Sequence, residues 1–300
     1  MTTTPVKKIP TVGTLLESVI DYAGLFPPAN LNLLQALQNY ANAKVSKHSW
    51  ILGRFLVPLP KLQEFEELAL VKPIKIKWTL GVIVTGDPTS QVDEIKRFND
   101  KWSKKAKIES IEISGLELSN IGPVTHHLPK GLETFFEVNP RSDLEAYLEA
   151  ITAVGAFAKI RTGGITANAF PNKVTLCQFM MSCMRAQLPF KATAGLHHAL
   201  TGHYPLTYKP DSARAPMYGF LNVLIAALLI NLGKIGLGDA NEILSESSPH
   251  AFKFSLDTLQ WKDLSISNLE ITKARQQFFK SFGSCSFEEP IVDLEALRIL

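Results

Sequence analysis

Two lysines stand in short apolar segments, where a charged side chain is costly to bury. Lys159 belongs to the run Ala-Lys-Ile-Arg-Thr-Gly-Gly, and Lys191 belongs to the run Phe-Lys-Ala-Thr-Ala-Gly. A buried ammonium group needs a partner or a chemical role, because a low-dielectric interior disfavours an unpaired charge. The lysines are 32 residues apart, about the length of one strand–helix unit in a barrel of parallel strands. The spacing predicts that they lie on neighbouring strands near the mouth of such a barrel.

A lysine pair of this kind is suited to Schiff-base chemistry. The amine attacks a carbonyl only when it is neutral, and burial together with a second nearby cation lowers its pKa. Lys159 and Lys191 are therefore candidates for nucleophile and pKa-lowering neighbour, and at least one of the two pKa values should fall well below its usual value. The alternative is that Glu112 or Glu137 pairs with the lysines and keeps both charged; they are then structural or substrate-binding cations, and the imine mechanism fails.

The turns after the two lysine strands are predicted to bind an anion. Glycines let backbone N–H groups approach an oxyanion, and an arginine adds a two-pronged contact. The predicted anion-binding residues are Arg161, Thr162, Gly163, Gly164, Thr193 and Gly195. If these residues bind an anion, the substrate carries a phosphate or carboxylate group. The alternative is that the Gly163-Gly164 pair simply forms a tight exit from the strand.

Candidate proton-transfer residues lie at other predicted strand ends. His197 follows the second lysine strand, and Glu137 ends an earlier apolar strand; either side chain can move protons near neutral pH. A metal site built from Glu112, Glu137 and His197 is a further alternative, although the leading hypothesis needs no metal. Cys285 is interpreted as part of a packed terminal segment or subunit contact, and as a nucleophile only if it lies beside a histidine.

Apolar strand-like runs alternate with amphipathic helical patterns along most of the chain, which indicates an α/β fold with a parallel sheet. Seven or eight such units favour a closed (β/α)8 TIM barrel with terminal extensions over an open sheet. The expected strands are 19–24, 51–59, 78–84, 108–113, 134–138, 156–161, 189–194 and, least distinctly, 252–255. A terminal helix is expected over 271–282, followed by a C-terminal tail over 283–300.

Length and composition narrow the class of protein. The 300 residues suit one barrel domain of about 250 residues with extensions, so we expect residues 1–300 to form a single domain. A net charge of +3 without a basic block argues against a nucleic-acid partner. Three cysteines argue against a disulfide framework and favour the cytoplasm. Residues 1–10 lack a signal-peptide core, and the most apolar run, 220–230, is too short to cross a membrane.

The two lysine segments resemble class I aldolases of the deoxyribose-phosphate aldolase type. Lys159-Ile-Arg-Thr-Gly matches that family's Lys-x-x-Thr-Gly strand, and Lys191-Ala-Thr-Ala-Gly resembles its following lysine strand. The resemblance covers about 40 residues and implies a (β/α)8 barrel in which Lys159 forms the Schiff base and Lys191 lowers its pKa. Arg161 replaces a small residue of the family, and no position matches its proton-relay aspartate. The whole chain also resembles a bacterial barrel family with the same lysine strings, which implies no activity.

The leading functional hypothesis is a lyase that acts on a small anionic carbonyl compound, bearing phosphate or carboxylate, through a lysine Schiff base. One alternative is a metal-assisted, enolate-forming lyase or isomerase that uses carboxylates and a histidine. The other is a non-catalytic barrel protein that binds an anion. No G-x-G-x-x-G motif follows the first predicted strand, and we expect no cofactor. The sequence leaves homo-oligomer formation open.

Overall fold

A closed barrel of eight parallel strands forms the centre of the molecule, as seen in a computed structural model that describes residues 9–71, 74 and 76–300. The fold is therefore the predicted (β/α)8 TIM barrel. Residues 1–8, on which most of the expectation about a signal peptide rests, lie outside the described part. The barrel strands are β1 Ile20–Tyr22, β2 Leu52–Pro58, β3 Trp78–Thr85, β4 Ala106–Ser114, β5 Glu133–Val138, β6 Phe157–Arg161, β7 Phe190–Thr193 and β13 Phe279–Ser284.

The remaining strands form two small antiparallel sheets outside the barrel. One is a hairpin of β8 Gly202–Pro205 and β9 Arg214–Met217, and the other is formed by β10 Phe252–Phe254, β11 Thr258–Trp261 and β12 Leu264–Ser267. The hairpin follows β7 in the chain. Its residues Leu206 and Met217 line a small cavity with Gly164 and Gly195, so the hairpin lies against the carboxyl ends of β6 and β7.

Helices surround the barrel. They are α1 Pro10–Leu16, α2 Leu33–Lys44, α3 Leu62–Phe65, α4 Val92–Trp102, α5 Ile121–His127, α6 Leu144–Ala153, α7 Lys173–Arg185, α8 Phe220–Asn231, α9 Leu237–Ser245, α10 Asn268–Gln277 and α11 Glu288–Ala296. The most apolar helix, α8, is buried along 11 of its 12 residues, as expected for a core helix. Within the described part of the chain, no helix combines the length and apolar character needed to cross a membrane.

The eighth barrel strand differs from the prediction. Residues 252–255 were expected to supply it, but β10 belongs to the outer sheet, and β13 closes the barrel between β1 and β7. Lys253 is exposed between two phenylalanines, and this alternation fits an antiparallel strand with one solvated face rather than a barrel strand covered on both faces. The true strand, Phe-Lys-Ser-Phe-Gly-Ser, was missed because it has only two large apolar residues and follows α10 almost directly.

The expected terminal helix and tail are corrected in the same way. The helix predicted over 271–282 ends at Gln277, and its last part is strand β13. The segment predicted as a tail, 283–300, contains the end of β13 and helix α11, whose Ile291 and Leu294 are buried. This C-terminal segment therefore brings side chains to the mouth of the barrel, including Cys285.

Candidate active site in the barrel interior and at its mouth

Lys159 and Lys191 face each other across neighbouring strands, as the sequence predicts. They are register partners on β6 and β7, and their side chains are 3% and 0% exposed. Because side chains on a strand alternate between its two faces, the register places both ammonium groups on one side of the sheet. Ion-pair contacts to strands across the barrel show that this side is the interior.

One carboxylate bridges the two lysines. Glu112, at the end of β4, places Oε2 2.8 Å from the Nζ of Lys159 and Oε1 2.6 Å from the Nζ of Lys191. Asp21 of β1 lies on the far side of Lys191, with Oδ2 2.5 Å from its Nζ. Glu137 of β5 lies on the far side of Lys159, with Oε2 3.0 Å from its Nζ. These five residues form a continuous chain of alternating charges, which we call the interior network.

The carboxylates determine the protonation of the network. Burial alone raises the pKa of Glu112, but Lys159 and Lys191 outweigh burial and hold that pKa at about 2. Burial alone lowers the pKa of Lys159, but Glu112 and Glu137 outweigh it and raise the pKa above its usual value. The expected fall is therefore wrong for Lys159, because opposite charges lie closer to its ammonium group than the second lysine.

The network reaches solvent through Glu137. Its Oε1 lies 3.1 Å from the Nε of Arg161, and the Arg161 side chain is half-exposed. Both residues line a cleft of about 540 Å³, together with Asn139, Arg141 and residues that follow the ends of β4 and β5. Burial raises the pKa of Glu137, but Lys159 and Arg161 bring it below its usual value. The cleft thus combines two arginines with an ionised carboxylate at the carboxyl end of the barrel.

Three of the six residues predicted to bind an anion have packing roles in the structure. Thr162 is fully buried, and its Oγ1 donates a 2.6 Å hydrogen bond to the carbonyl of Ala194. A Cβ on Gly163 would lie 2.7 Å from the Cα of Gly195 and 2.6 Å from the Phe170 ring. The two glycines therefore allow the exits of β6 and β7 to touch, and Gly195 also has a positive φ of 76°. Among these residues Thr162, Gly163 and Gly195 have clear structural roles.

The other residues predicted for the turn lie in different surroundings. Arg161 faces the cleft, whereas Gly164 lines a small cavity under the β8–β9 hairpin. Thr193 is the register partner of Arg161 on β7, and its Oγ1 lies against Gly283 of β13. Anion binding by these three residues stays a prediction, and Arg161 has the most accessible position.

His197 lies apart from the interior network, in a second group that we call the mouth cluster: His197, Cys285, Glu289 and Tyr208. The His197 Nδ1 lies 3.7 Å from the Cys285 Sγ and 3.6 Å from the Glu289 Oε2. Tyr208 donates a 2.9 Å hydrogen bond to the same Glu289 oxygen. The predicted condition for a reactive Cys285, a neighbouring histidine, is therefore met in position.

Burial favours the neutral forms of the groups in the mouth cluster. Burial, with a smaller contribution from His198, lowers the pKa of His197 to about 4. Burial raises the pKa of Cys285 to about 11, and it raises the pKa of Glu289 as well. A neutral imidazole beside a neutral thiol is a packed pair rather than an ion pair.

A histidine–aspartate pair that the sequence did not indicate lies next to this cluster. His198 Nδ1 is 3.1 Å from the Asp293 Oδ2, which also accepts a 2.9 Å hydrogen bond from the backbone N–H of Ala199. The His198 ring stacks on Tyr204, with centroids 3.6 Å apart. Asp293 lies on α11, in the segment expected to be a tail, so only recognition of that helix would have found it.

The three residues of the metal hypothesis, Glu112, Glu137 and His197, all have other partners in the structure. Glu112 is engaged by both lysines, and His197 faces Cys285 and Glu289 instead of Glu112 and Glu137. In the part of the chain that the structure describes, no group of three or more histidine, cysteine, aspartate or glutamate side chains is arranged to hold a metal ion.

Comparison with protein-family models, curated proteins and solved structures gives no significant match to this chain.

Proposed function

We propose that the protein is a lyase of the class I aldolase type that acts on a small anionic carbonyl compound through an imine on Lys159. The observation that carries the proposal is the pairing of two buried lysines on adjacent strands, one of which contacts Glu137 at the edge of an arginine-lined cleft. Active sites of (β/α)8 barrels lie at the carboxyl ends of the strands, where this cleft opens.

The resting network must release a proton before Lys159 attacks a carbonyl. An anionic substrate group that binds Arg161 competes with Glu137, whose Oε1 contacts the Arg161 Nε at rest. With that contact weakened, the pKa of Glu137 rises, and its Oε2 accepts a proton from the Lys159 Nζ 3.0 Å away. The neutral amine then adds to the substrate carbonyl carbon.

The same proton completes imine formation. The addition product carries a hydroxyl group, which leaves as water when Glu137 returns the proton to it, and the Lys159 nitrogen becomes a positively charged iminium. Glu112 has a pKa of about 2, so it remains ionised and stabilises that positive charge. Glu137, ionised again, takes the proton of the substrate hydroxyl on the far side of the neighbouring carbon–carbon bond. That bond breaks, one fragment leaves as a carbonyl compound, and the bond electrons move to the iminium and form an enamine. Glu137 returns the proton to the enamine carbon, and water hydrolyses the resulting iminium, which releases the second product and restores the Lys159 ammonium group. Glu137 supplies the acid–base role, and the proposal assigns none to His197, which contacts Cys285 and Glu289.

Borohydride trapping tests the imine. The protein is incubated with pyruvate or dihydroxyacetone phosphate, as carboxylate and phosphate probes, then reduced, digested and mapped by mass spectrometry. We expect a reduced adduct on Lys159 that Lys159→Met abolishes. Lys191→Met is the matched control, because it removes the neighbouring lysine and leaves the nucleophile. Labelling no greater than that of an exposed lysine such as Lys209 would overturn the proposal.

A second candidate, an anion-binding barrel without catalysis, is favoured by a specific observation. Lys159 does not line the cleft; Glu137 lies between its ammonium group and that space, and two carboxylates hold the ammonium group charged. Imine formation therefore requires Glu137 to move. Anion binding that depends on Arg161, with no trapped adduct on Lys159, would select this candidate.

A further inference from the structure

A second cavity lies at the opposite end of the barrel from the cleft, and we call it the amino-end cavity. It has a volume of about 470 Å³ and is lined by residues near the amino ends of the barrel strands and by helix α10. Its ionisable lining residues are Glu17, Asp21, Lys44, Arg54, Glu109, Glu133, Arg275 and Lys280. Lys159 does not line this cavity, and the active sites of (β/α)8 barrels lie at the carboxyl ends of the strands. A ligand bound here is therefore distinct from the substrate of the proposed lyase.

Arg275 of α10 is a partly buried cation that contacts only carbonyl oxygens. Its Nη1 donates hydrogen bonds of 2.7 and 2.9 Å to the carbonyls of Phe279 and Lys280, and its Nη2 donates one of 2.9 Å to the carbonyl of Glu17. Its Nε is buried and has no hydrogen-bond partner among the described residues. A guanidinium group has five N–H donors, so two of the five are unused.

The charge of Arg275 also lacks a close counterion in the described part of the chain. Burial lowers the pKa of Arg275 to about 10, although Asp21 and Glu17 oppose the shift from a distance. A buried cation is stabilised when an opposite charge with hydrogen-bond acceptors lies next to it. The cavity beside Arg275 has room for such a group.

The buried carboxylates of the amino-end cavity are engaged by other cations. Glu133 lies 2.6 Å from the Arg54 Nη2 and 2.9 Å from the Lys280 Nζ. Asp21 lies 2.5 Å from the Lys191 Nζ. Neither carboxylate can neutralise the α10 guanidinium group without leaving another cation unpaired.

The remaining ionisable lining residues leave an excess of positive charge. Glu109 lies 3.9 Å from the Arg54 Nε, so it faces a cation as well. Lys44, like Arg275, has no salt bridge to any described residue, whereas Glu17 is an exposed carboxylate. Two unpaired cations against one exposed carboxylate favour an anionic occupant.

We propose that the amino-end cavity binds a small hydroxylated anion whose phosphate or carboxylate group contacts Arg275. An oxyanion supplies both the charge and the acceptors that the guanidinium group lacks. The volume is within the range of small-molecule sites, and the rest of the lining offers hydroxyl and amide groups, including Thr14, Thr79, Thr272 and Gln276. These groups suit a sugar phosphate or a hydroxy acid. The proposal goes beyond the proposed function, because binding here involves no imine.

NMR of the arginine Nε–H groups tests this site in the full chain. The protein is labelled with ¹⁵N-arginine and titrated with inorganic phosphate, with acetate, and with chloride at matched ionic strength. The resonances of Arg275 and Arg161 are assigned with Arg275→Lys and Arg161→Ala. Arg161 reports on the cleft and Arg275 on the amino-end cavity, so the two predicted anion sites are observed separately in one spectrum.

We expect phosphate or acetate to shift the Arg275 Nε–H resonance to saturation, and chloride to leave it in place. The anion that binds more tightly identifies the group that the ligand carries. The shift should persist in Arg161→Ala, because the cleft lies at the other end of the barrel. A resonance that moves equally in all three salts, or in none, would overturn the site.

A variant that fills the cavity provides a second test. Gln276→Trp places a large side chain in the amino-end cavity from α10 and should weaken binding of the preferred anion at Arg275 by about tenfold or more. Gln277→Trp is the matched control, because Gln277 is the exposed next residue of α10 and does not line the cavity; its effect should be less than about twofold. Equal losses from the two variants would overturn the site. Since no aldehyde or ketone is used, a failed borohydride trap would remove the lyase and leave this result standing.

Discussion

Glu112 and Lys159 of the interior network and His197 and Cys285 of the mouth cluster are all buried, yet the two pairs take opposite protonation states. In the network, Glu112 has a pKa of about 2 and Lys159 has a raised pKa, so both are charged. In the mouth cluster, His197 has a pKa of about 4 and Cys285 a pKa of about 11, so both are neutral at pH 7. Burial penalises charge in both regions, and the difference lies in the partners.

The partners differ because different elements supply them. The network residues lie on barrel strands, where backbone register fixes the spacing of opposite charges to 3.0 Å or less. The mouth cluster comes from the segment after β7 and from the chain after β13, and its closest approach to His197 is 3.6 Å. The barrel interior therefore holds opposite charges at ion-pair distance, whereas His197 at the mouth has no charged partner as close.

The largest effect on stability is expected when the bridging carboxylate of Glu112 is removed. Glu112→Leu leaves two ammonium groups facing each other in a dry interior, so we expect the free energy of unfolding to fall by about 3–5 kcal/mol. Urea unfolding at pH 7 measures it. Glu289→Gln is the control in the mouth cluster and should cost less than about 1 kcal/mol, because the amide still accepts the Tyr208 hydrogen bond. Equal losses from the two variants would erase the distinction between the regions.

The sequence predicts the lysine pair well because the information is local. A spacing of one strand–helix unit, with a lysine at the same depth in each strand, was enough to place Lys159 opposite Lys191. The sequence also indicates Glu112 and Glu137 as the alternative partners, which would keep the lysines charged. What the sequence could not decide was the distance of each carboxylate, and that distance reversed the expected direction of the Lys159 pKa.

The parts that the sequence missed depend on closure of the barrel. β13 contains Ser281 and Gly283, small residues that pairing with β1 and β7 accommodates and that carry no hydrophobic pattern. The Ser281 contact to Asp21 joins residues 260 positions apart, and no local rule anticipates such a pair. Asp293 was missed for the same reason, since the helix that carries it was expected to be a tail.

The two regions should also lose stability in separate pH ranges. His197 has a folded pKa of about 4, below its usual 6.5, so the unfolded chain binds a proton more readily and stability falls as pH drops from 6.5 to 4. The loss assigned to His197 is about 2–3 kcal/mol. Glu112 has a folded pKa of about 2, below its usual 4.5; its contribution is complete above 4.5 and is lost only toward pH 2.

Unfolding of the wild type and of His197→Gln between pH 7 and 4 isolates the histidine. The glutamine does not titrate, so the difference in unfolding free energy between the two proteins should change by about 2–3 kcal/mol over this range. Glu112→Gln should leave the slope between pH 6.5 and 5 unchanged. A pH-independent difference for His197→Gln would mean that folding does not shift the pKa of this histidine.

The smallest expected effect separates two adjacent residues that fall on either side of the comparison. Arg161 contacts the interior network through Glu137 and faces the cleft, whereas Thr162 holds the exits of β6 and β7 together through Ala194. Thr162→Val keeps the shape and removes the hydroxyl, so it should lower the unfolding free energy by about 1–2 kcal/mol, the cost of a buried unpaired acceptor. The affinity of Thr162→Val for the anion should not change.

Arg161→Ala should show the reverse pattern, with an unchanged unfolding free energy. It should weaken binding of inorganic phosphate or pyruvate by about 1.5–3 kcal/mol, as measured by calorimetry. If Thr162→Val also weakened anion binding, the turn after β6 would be part of the binding site. The predicted anion site would then extend from the interior network into the mouth of the barrel.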